Sequence, residues 1–269
     1  MDVPRTLLVT NDYPPRVGGI QRTLESLVRR FPPDRVAVLC PDADDTAGVD
    51  GAAPYRVFRQ PERFLWPTPG VGRRLHDAVR SFGADVVLFG AVYPLALLGP
   101  SLAEAGTPYL AAAHGFEYWL SISPGMHALV RRATSRAARV PGMCSAFIAR
   151  VVRTAVPDGV PVSVMYPGAD LEAFRPDLPY ADLTEAHGVA GRPLVVCVSR
   201  LVARKGQDVL IRAMPEIGRR APDAALLIVG DGPDRERLEH LASGAPYGSV
   251  AFAGQVSEGD LPRYYRAGN

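Results

Sequence analysis

Cysteine and uncompensated charge are both scarce in this sequence of 269 residues. Its three cysteines, Cys40, Cys144 and Cys197, fit no metal-ligand spacing, and each lies in or beside an apolar, strand-like run. We therefore predict buried free thiols in a reducing compartment, rather than a disulfide framework or a metal centre. The formal net charge of +2 is too small to indicate a nucleic-acid partner.

Signals for export and for a membrane span are missing as well. The N-terminus leads straight into an apolar run, without the pattern of a signal peptide. Residues 86–103 carry no charge, but Gly90, Pro94, Gly99 and Pro100 interrupt them. This stretch therefore predicts a strand, a loop and a short helix rather than a transmembrane helix. Together these absences favour a cytoplasmic location.

The pattern that is present is the alternation of strands and helices typical of an α/β protein. Apolar residues make up 47% of the chain, enough for two hydrophobic cores. A polar segment with Gly and Pro, residues 41–54, is predicted to be a loop. Strands are predicted at residues 5–10, 36–40, 55–59, 85–90, 108–114, 161–166, 194–198, 224–229 and 250–253, and helices at residues 20–31, 71–82, 207–220 and from about residue 260.

The N-terminal strand, glycine loop and helix resemble the opening of a Rossmann-like unit. Gly18 and Gly19 lie in the loop, but the GxGxxG fingerprint of dinucleotide-binding proteins is absent. These glycines either let the backbone approach a ligand closely or form an ordinary tight turn. His114 ends another predicted strand, at the sheet edge where open α/β sheets bind ligands. It either contacts a sugar or is satisfied by a backbone carbonyl.

Two further segments leave two interpretations open, and a third has one interpretation. Residues 118–157 contain six arginines and no acidic residue, so they form either a face for anionic lipid or a solvated helix face. The apolar cluster Phe64, Leu65 and Trp66 either touches a lipid surface or packs against the sheet. Asp42, Asp44 and Asp45, in the predicted loop, are interpreted as solvated rather than as a metal site.

Residues 194–210, LVVCVSRLVARKGQDVL, predict a strand, a basic loop and a helix N-terminus. Free amide groups and the positive end of the helix dipole favour an anion there, and Arg200 and Lys205 add full charges. Two cations five residues apart suit a diphosphate better than one carboxylate. The alternative is a loop with two solvated cations, since the P-loop pattern GxxxxGK[ST] is absent.

The same residues carry a resemblance. SRLVARKG, the HG pair at His114, GDGP at residues 230–233 and YPGADLEAFRP resemble motifs of family 4 glycosyltransferases, which are retaining GT-B enzymes with two Rossmann-like domains. The resemblance implies that Arg200 and Lys205 hold the donor diphosphate and act in catalysis together with His114, which contacts the transferred sugar. It also implies that Gly230 and Val256 lie at the nucleotide, and that Gly18 and Gly19 border the acceptor and sugar.

The string NDYPPRVGGIQ is most similar to the branch of the family that mannosylates phosphatidylinositol mannosides, the PimB type. This implies a hexosyltransferase with GDP-mannose as donor and a lipid acceptor at the inner membrane surface. It implies a cytoplasmic enzyme, peripheral at the inner face of the plasma membrane, with no metal or other cofactor and no nucleic-acid partner. Phe116 departs from the expected HGHE motif, which puts the acceptor assignment in question.

The resemblance also predicts how the chain divides into domains. We predict an acceptor-side domain at residues 1–170, a linker at residues 171–185 and a nucleotide-sugar-binding domain at residues 186–269. The last domain has only three strand–helix units, and the E-x7-E segment of the family is not reached, so a fragment is expected. The richness in alanine, arginine and proline indicates a bacterial source. The alternatives are a family 4 transferase with another donor or acceptor, such as a polysaccharide or a small natural product, and a non-catalytic nucleotide-sugar-binding protein.

Overall fold

A computed structural model describes residues 3–115, 123–246 and 248–268 of the chain. The chain divides into two compact units, Met1–Pro167 and Gly168–Asn269. The predicted linker at residues 171–185 falls in the second unit and includes most of a short helix, so the limits of the domains stay a prediction. Among the described residues, no helix is both long and apolar enough to cross a bilayer.

The first unit is built on parallel strands flanked by helices. Its strands are β1 (Thr6–Val9), β2 (Val36–Pro41), β3 (Arg56–Gln60), β4 (Val86–Phe89), β5 (Tyr109–Ala111), β6 (Val140–Met143) and β7 (Val162–Met165). Its helices are α1 (Gly19–Val28), α2 (Thr46–Gly51), α3 (Pro69–Phe82), α4 (Gly99–Glu104), α5 (Pro124–Thr134) and α6 (Ala146–Arg153). The 3-10 turns Pro33–Arg35 and Leu95–Leu98 precede β2 and α4.

Five strands pair in the order β3-β2-β1-β4-β5, and β6 pairs with β7, all in parallel. Two isolated parallel bridges, Leu110 to Arg139 and Ala113 to Gly142, connect β5 to β6. The strand order reverses between β1 and β4, which is the position where open α/β sheets form a ligand crevice. Most strand residues in β1, β2 and β4 are buried, as expected for a sheet covered on both faces.

Helix α3 shows how local sequence sets an element in this unit. The hydroxyl of Thr68 caps its first turn by accepting from the Val71 amide, and Pro69 occupies its first position. Gly83 ends it with a left-handed φ of 68°. The inward face is the one that the sequence predicts: Val71, Leu75, Ala78, Val79 and Phe82 are buried.

Two expectations for the first unit are wrong. The predicted loop at 41–54 contains the short helix α2, and Asp50 of that helix forms a tertiary ion pair with Arg59 on β3, 2.8 Å between Nη2 and Oδ1, which the sequence pattern does not reveal. Cys144 is exposed rather than buried, since its φ of 77° turns the side chain outward just after β6. Cys40 is buried as predicted, and burial raises the pKa of its thiol to about 12.

The second unit is a three-stranded parallel sheet in the order β10-β9-β8. Its strands are β8 (Leu194–Val198), β9 (Ala225–Val229) and β10 (Val250–Gly254), and its helices are α7 (Ala181–Ala186), α8 (Gln207–Arg220), α9 (Arg235–Ala242) and α10 (Leu261–Ala267). Strand β9 is buried on both faces. Leu227 and Val229 pack in one core with Tyr264 of α10, while Leu226 and Ile228 pack in another core with residues of α8 and α9.

Candidate active site

The candidate residues of the first unit meet at the carboxyl edge of β1, β4 and β5. Asp12 follows β1, Gly90 follows β4 and His114 follows β5. Because parallel strands end at the same edge of a sheet, these three positions come together although they are far apart in the sequence. The edge lies on both sides of the switch in strand order between β1 and β4.

The Nε2 atom of His114 is held by a hydrogen bond to a backbone carbonyl oxygen. This atom lies 2.8 Å from the carbonyl oxygen of Gly90, and the residue is only partly buried. A carbonyl oxygen only accepts, so Nε2 carries the hydrogen in this contact. The structure therefore shows the carbonyl contact of His114, and the predicted role of this residue toward a sugar stays a prediction.

Gly90 has no room for a side chain. A Cβ on this residue would lie 2.7 Å from the Thr10 hydroxyl oxygen and 2.7 Å from a methyl carbon of Leu24. This close packing of the β4 end against β1 and α1 fixes the carbonyl oxygen that binds His114. The sequence analysis assigned no role to Gly90.

Asp12 is the carboxylate of this edge, and the sequence analysis missed it. Its Oδ1 accepts from Gln21 Nε2 at 2.8 Å, and its amide donates to the Thr10 hydroxyl at 2.9 Å. Burial raises the pKa of Asp12, while the positive charges of His114 and Arg16 act in the opposite direction. The signal in the sequence was its position, directly after a buried strand at a ligand-binding edge.

Side chains of neighbouring strands anchor the loop that carries Asp12. Arg59 on β3 donates to the carbonyl oxygen of Pro14 at 2.7 Å and to that of Pro41 at 3.1 Å, and its guanidinium carbon lies 5.5 Å from the Tyr13 ring centre. The Tyr13 hydroxyl lies 2.7 Å from that of Tyr55. The loop is thus held rigidly by groups outside it.

The apolar cluster Phe64, Leu65 and Trp66, which follows β3, is partly buried and partly exposed. Leu65 is fully buried, whereas Phe64 and Trp66 are 39% and 53% exposed, with ring centres 4.9 Å apart. Asn11 clamps the segment by donating to the Leu65 carbonyl oxygen at 3.0 Å and accepting from the Leu65 amide at 2.7 Å. Phe64 also lines a small cleft with residues that follow β1 and β4, among them Asp12.

Gly18 and Gly19 mark the start of α1 but have no left-handed backbone in this structure. Gly18 has a φ of 173°, and a Cβ there would lie 2.4 Å from the flexible amide end of Gln21. A Cβ on Gly19 would meet nothing within 4 Å. Space around Gly19 is therefore open, and its predicted role beside the acceptor and sugar remains a prediction.

In the second unit, Arg200 and Lys205 lie in the loop between β8 and α8. Both are exposed, and Lys205 is the last residue of the 3-10 turn Ala203–Lys205 that follows Arg200. Gly206 is the N-cap residue directly before α8, with a left-handed φ of 73°, and no side chain among the described residues caps the helix. The loop therefore presents basic side chains beside the positive end of a 14-residue helix.

The basic side chains of this loop differ from every other cation of the second unit. Within the ranges that the structure describes, those of Arg200, Arg204 and Lys205 have no hydrogen-bond or ion-pair partner. The others each contact a carboxylate or a backbone carbonyl: Arg175, Arg192, Arg212, Arg219, Arg220, Arg235, Arg237, Arg263 and Arg266. Three unpartnered cations in six residues leave their full charge available to an anion.

Two features fix the backbone of the loop. Gln207 is 1% exposed, and its Nε2 donates to the Ser199 hydroxyl at 2.8 Å and to the Arg200 carbonyl oxygen at 3.0 Å. Gly230, at a φ of 131°, approaches so closely that a Cβ would lie 2.2 Å from the Ser199 carbonyl oxygen. Both residues position the start of the loop. The sequence analysis did not identify this role for Gln207.

The ends of the three strands in this unit are also joined to one another. The amide of Gly230 donates to the Gly254 carbonyl oxygen at 2.7 Å, and the amide of Ser199 donates to the Val229 carbonyl oxygen at 3.0 Å. Val256 follows two residues after Gly254 and packs partly against the core. Arg200, Gly230 and Val256 thus belong to neighbouring strand ends at one edge of the sheet.

The comparisons with known proteins agree with this architecture. Residues 17–173 match the family described as Glycosyltransferase Family 4, and residues 182–269 match Glycosyl transferases group 1. The chain belongs to glycosyltransferase family 4. Both the predicted family and the predicted GT-B fold of parallel α/β sheets are confirmed.

Two relatives whose names state an enzymatic activity match most of the chain. A GDP-mannose-dependent alpha-(1-6)-phosphatidylinositol monomannoside mannosyltransferase of Mycolicibacterium smegmatis is 38% identical over 96% of this chain and 69% of its own length. A GDP-mannose-dependent monoacylated alpha-(1-6)-phosphatidylinositol monomannoside mannosyltransferase of Corynebacterium glutamicum is 34% identical, over 96% of this chain and 68% of its own.

Solved structures support the fold. Anabaena Alr3699/HepE in complex with UDP superposes with a TM-score of 0.76 at 18% identity, covering 96% of this chain and 71% of its own. Sucrose-phosphate synthase of Thermosynechococcus elongatus gives 0.74 at 18% identity, covering 98% and 74%.

One signal in the sequence was overlooked. Lys205 is the only lysine among the 30 basic residues, and the other 29 are arginines. Lys205 is therefore the one side chain of the sequence that supplies a compact ammonium, which differs from a guanidinium in geometry and hydration. Phe116, which departs from the expected HGHE motif, and Glu117, which keeps the last residue of that motif, lie outside the described residues.

Proposed function

We propose that this glycosyltransferase moves mannose from GDP-mannose to a phosphatidylinositol mannoside. The observation that carries the proposal is the 38% identity over 96% of the chain to the M. smegmatis enzyme, whose name states this donor and this class of acceptor. The unpartnered cations of the second unit support a diphosphate donor, because they supply charge where the resemblance requires it.

Arg200 and Lys205 are assigned to the donor diphosphate. As the bond to the sugar breaks, negative charge grows on the diphosphate and the sugar becomes oxocarbenium-like. Fixed donors that meet this charge lower the barrier without reorganising during the reaction. Each charge-assisted contact is worth roughly 1.5–3 kcal/mol. Gly230 and Val256 are assigned to the nucleotide side of the same sheet edge.

His114 is assigned to the transferred sugar, and Gly18 and Gly19 to the acceptor side of the first unit. The Nε2–H of His114 is engaged by the Gly90 carbonyl, which holds the ring in one orientation. A ring held in this way is suited to placing a sugar, because less side-chain conformational entropy has to be lost when the substrate binds. Retention of configuration follows from the family resemblance, and no metal or other cofactor is part of the proposal.

A lipid acceptor implies that the protein works at a membrane surface, and we assign it to the inner face of the plasma membrane. Four arginines of the acid-free segment support this: Arg131, Arg132, Arg139 and Arg150 are exposed, and their side chains have no partner in the described part of the chain. Basic residues near an anionic leaflet contribute about 1 kcal/mol each. By contrast, Arg153 donates to three backbone carbonyls and has a structural role.

A second candidate function is transfer with another donor or acceptor within the same family. The alpha-D-kanosaminyltransferase of Streptomyces kanamyceticus is 42% identical, but over 79 residues, or 29% of this chain. This similarity does not reach across both units, so we favour the mannosyltransferase. A non-catalytic nucleotide-sugar-binding protein is the third alternative.

One experiment separates the three. The purified protein is incubated with GDP-mannose, or with a panel of other nucleotide sugars, and with lipids that include phosphatidylinositol mannosides. Mannosylated lipid, identified by mass spectrometry, supports the proposal. Transfer from another donor, or to a non-lipid acceptor, supports the second candidate. GDP binding by calorimetry, without transfer to any acceptor, supports the binding protein.

A further inference from the structure

We propose that Lys205 is an acylation site of this protein, at which an anionic acyl donor modifies the chain's only lysine side chain. Three observations carry the inference. Lys205 is the only lysine of the sequence, it is exposed, and its ammonium has no partner among the described residues. Any lysine-directed modification of this chain therefore falls on the basic loop.

The loop also attracts the reagents that acylate lysines. Acyl phosphates are anions, and coenzyme A thioesters carry a diphosphate of their own. The unpartnered guanidinium groups of Arg200 and Arg204 are available to such anions, since no carboxylate neutralises them in the described structure. Local attraction raises the concentration of the acyl donor beside the amine.

The chemistry balances with acetyl phosphate as the donor. The ammonium of Lys205 first loses one proton to solvent, and the neutral amine then attacks the carbonyl carbon and passes a second proton to the departing phosphate. A C–N amide bond forms, the C–O bond to phosphate breaks, and inorganic phosphate leaves with the electron pair. The product is a neutral amide, so the loop loses one of its three unpartnered charges. That this loss switches off donor binding rests on the proposed function.

The test compares an anionic reagent with a neutral one. The protein is treated with acetyl phosphate or with the uncharged reagent acetyl N-hydroxysuccinimide, and acetylation at Lys205 is followed by peptide mass spectrometry. The double variant Arg200→Ala, Arg204→Ala should react roughly fivefold more slowly with acetyl phosphate for each charge removed. Its rate with the neutral reagent should not change.

A matched control removes two charges elsewhere. Arg219 and Arg220 lie in the last turn of α8, about 20 Å along the helix from its start. Their double alanine variant has the same net charge as the test variant and should react with acetyl phosphate as the wild type does. All four arginines are exposed, so folding is not at risk.

The outcomes are distinct. Equal slowing with both reagents, or equal slowing in both double variants, would overturn the proposal, as would acetyl phosphate treatment that leaves Lys205 unmodified. Protection of Lys205 by GDP would support a site shared with the donor. Arginine-dependent acetylation without GDP protection would support acylation and contradict the donor assignment, so the two proposals fail separately.

Discussion

The polar groups at the sheet edge of the first unit contact protein groups, whereas the basic side chains of the second unit's loop have no partner among the described residues. His114 contacts the Gly90 carbonyl, and Asp12 contacts Gln21 and the Thr10 hydroxyl. Arg200 and Lys205 have no side-chain partners in the described residues. The side chains at the sheet edge of the first unit are therefore positioned by contacts within the protein. The basic loop of the second unit carries positive charges that a bound anion would neutralise. Substitutions in the first unit should therefore lower stability, whereas substitutions in the basic loop should lower GDP affinity without lowering stability.

The largest effect is expected from Arg200→Ala and Lys205→Ala. Each removes a charge-assisted contact worth roughly 1.5–3 kcal/mol, so GDP affinity should fall about 10- to 150-fold and transfer should be lost. The melting temperature should hardly change, because neither side chain has a partner to lose among the described residues. Calorimetry with GDP and thermal unfolding measure the two quantities.

Two further variants sharpen this prediction. Arg212→Ala removes an exposed charge that is already paired with Asp208, 3.1 Å between Nη1 and Oδ2, and should leave GDP affinity unchanged. Lys205→Arg should bind GDP poorly, since a planar fork does not replace a compact ammonium. Wild-type GDP affinity in both alanine variants would remove the assignment of the loop to the donor.

The next effect is expected from His114→Ala. Transfer should be almost completely lost while GDP affinity is retained, because His114 is assigned to the sugar and lies in the first unit. Loss of the hydrogen bond to Gly90 should also lower stability by about 1 kcal/mol. Activity is therefore compared per folded protein, using unfolding curves of both forms. A folded variant with normal specific activity would show that His114 has only the carbonyl-bound role.

Arg59→Met should produce a smaller effect, mainly on stability. The variant keeps an unbranched side chain but loses the ion pair with Asp50 and the hydrogen bonds to Pro14 and Pro41. Leaving these partly buried groups unpaired should cost about 1–3 kcal/mol. Because Arg59 anchors the loop of Asp12, transfer should also slow, with GDP affinity unchanged.

The matched control for Arg59 is Arg63→Ala, which breaks an exposed ion pair with Asp44, 2.6 Å between Nη2 and Oδ1. Such pairs are screened by solvent, so denaturant unfolding should show no change. Equal loss of stability in the two variants would mean that the network around Arg59 does not anchor the loop more firmly than a surface pair does.

The elements of both units could be predicted because their patterns are local. Helix α8 begins and ends at the predicted residues, since its apolar spacing and Gly206 are read directly from the chain. The contacts of the site could not be predicted in this way. The carbonyl of Gly90 meets His114 only because β4 pairs with β5, and Arg59 meets the Pro41 carbonyl only because β2 pairs with β3.

The roles of the glycines show the same limit. Gly230 was assigned to the nucleotide from its motif, yet its positive φ and its approach to the Ser199 carbonyl give it a structural role as well. Only the pairing of β9 with β8 brings those two residues together. By contrast, the sole lysine is evident from a count of residue types, because composition does not depend on how the strands pair.

The smallest expected effect, and the one of opposite sign, comes from Asp12→Asn. Burial raises the pKa of Asp12 in the folded protein above its ordinary value. A carboxyl group with a raised folded pKa favours folding below its unfolded pKa of about 3.9, and this contribution is lost as pH rises through the folded pKa. Asparagine keeps an oxygen that can accept from Gln21, but it carries no charge to desolvate.

The variant should therefore melt at a slightly higher temperature than the wild type near neutral pH, and the difference should disappear below about pH 3.9. Thermal unfolding of both proteins across this range measures it. A variant that is less stable at neutral pH would mean that the attraction of His114 and Arg16 for the carboxylate outweighs its burial. The charge of Asp12 would then stabilise the folded protein, as the hydrogen bond of His114 to Gly90 is expected to do. A more stable variant with slower transfer would instead show that the first unit keeps a destabilising charge at this edge for its function.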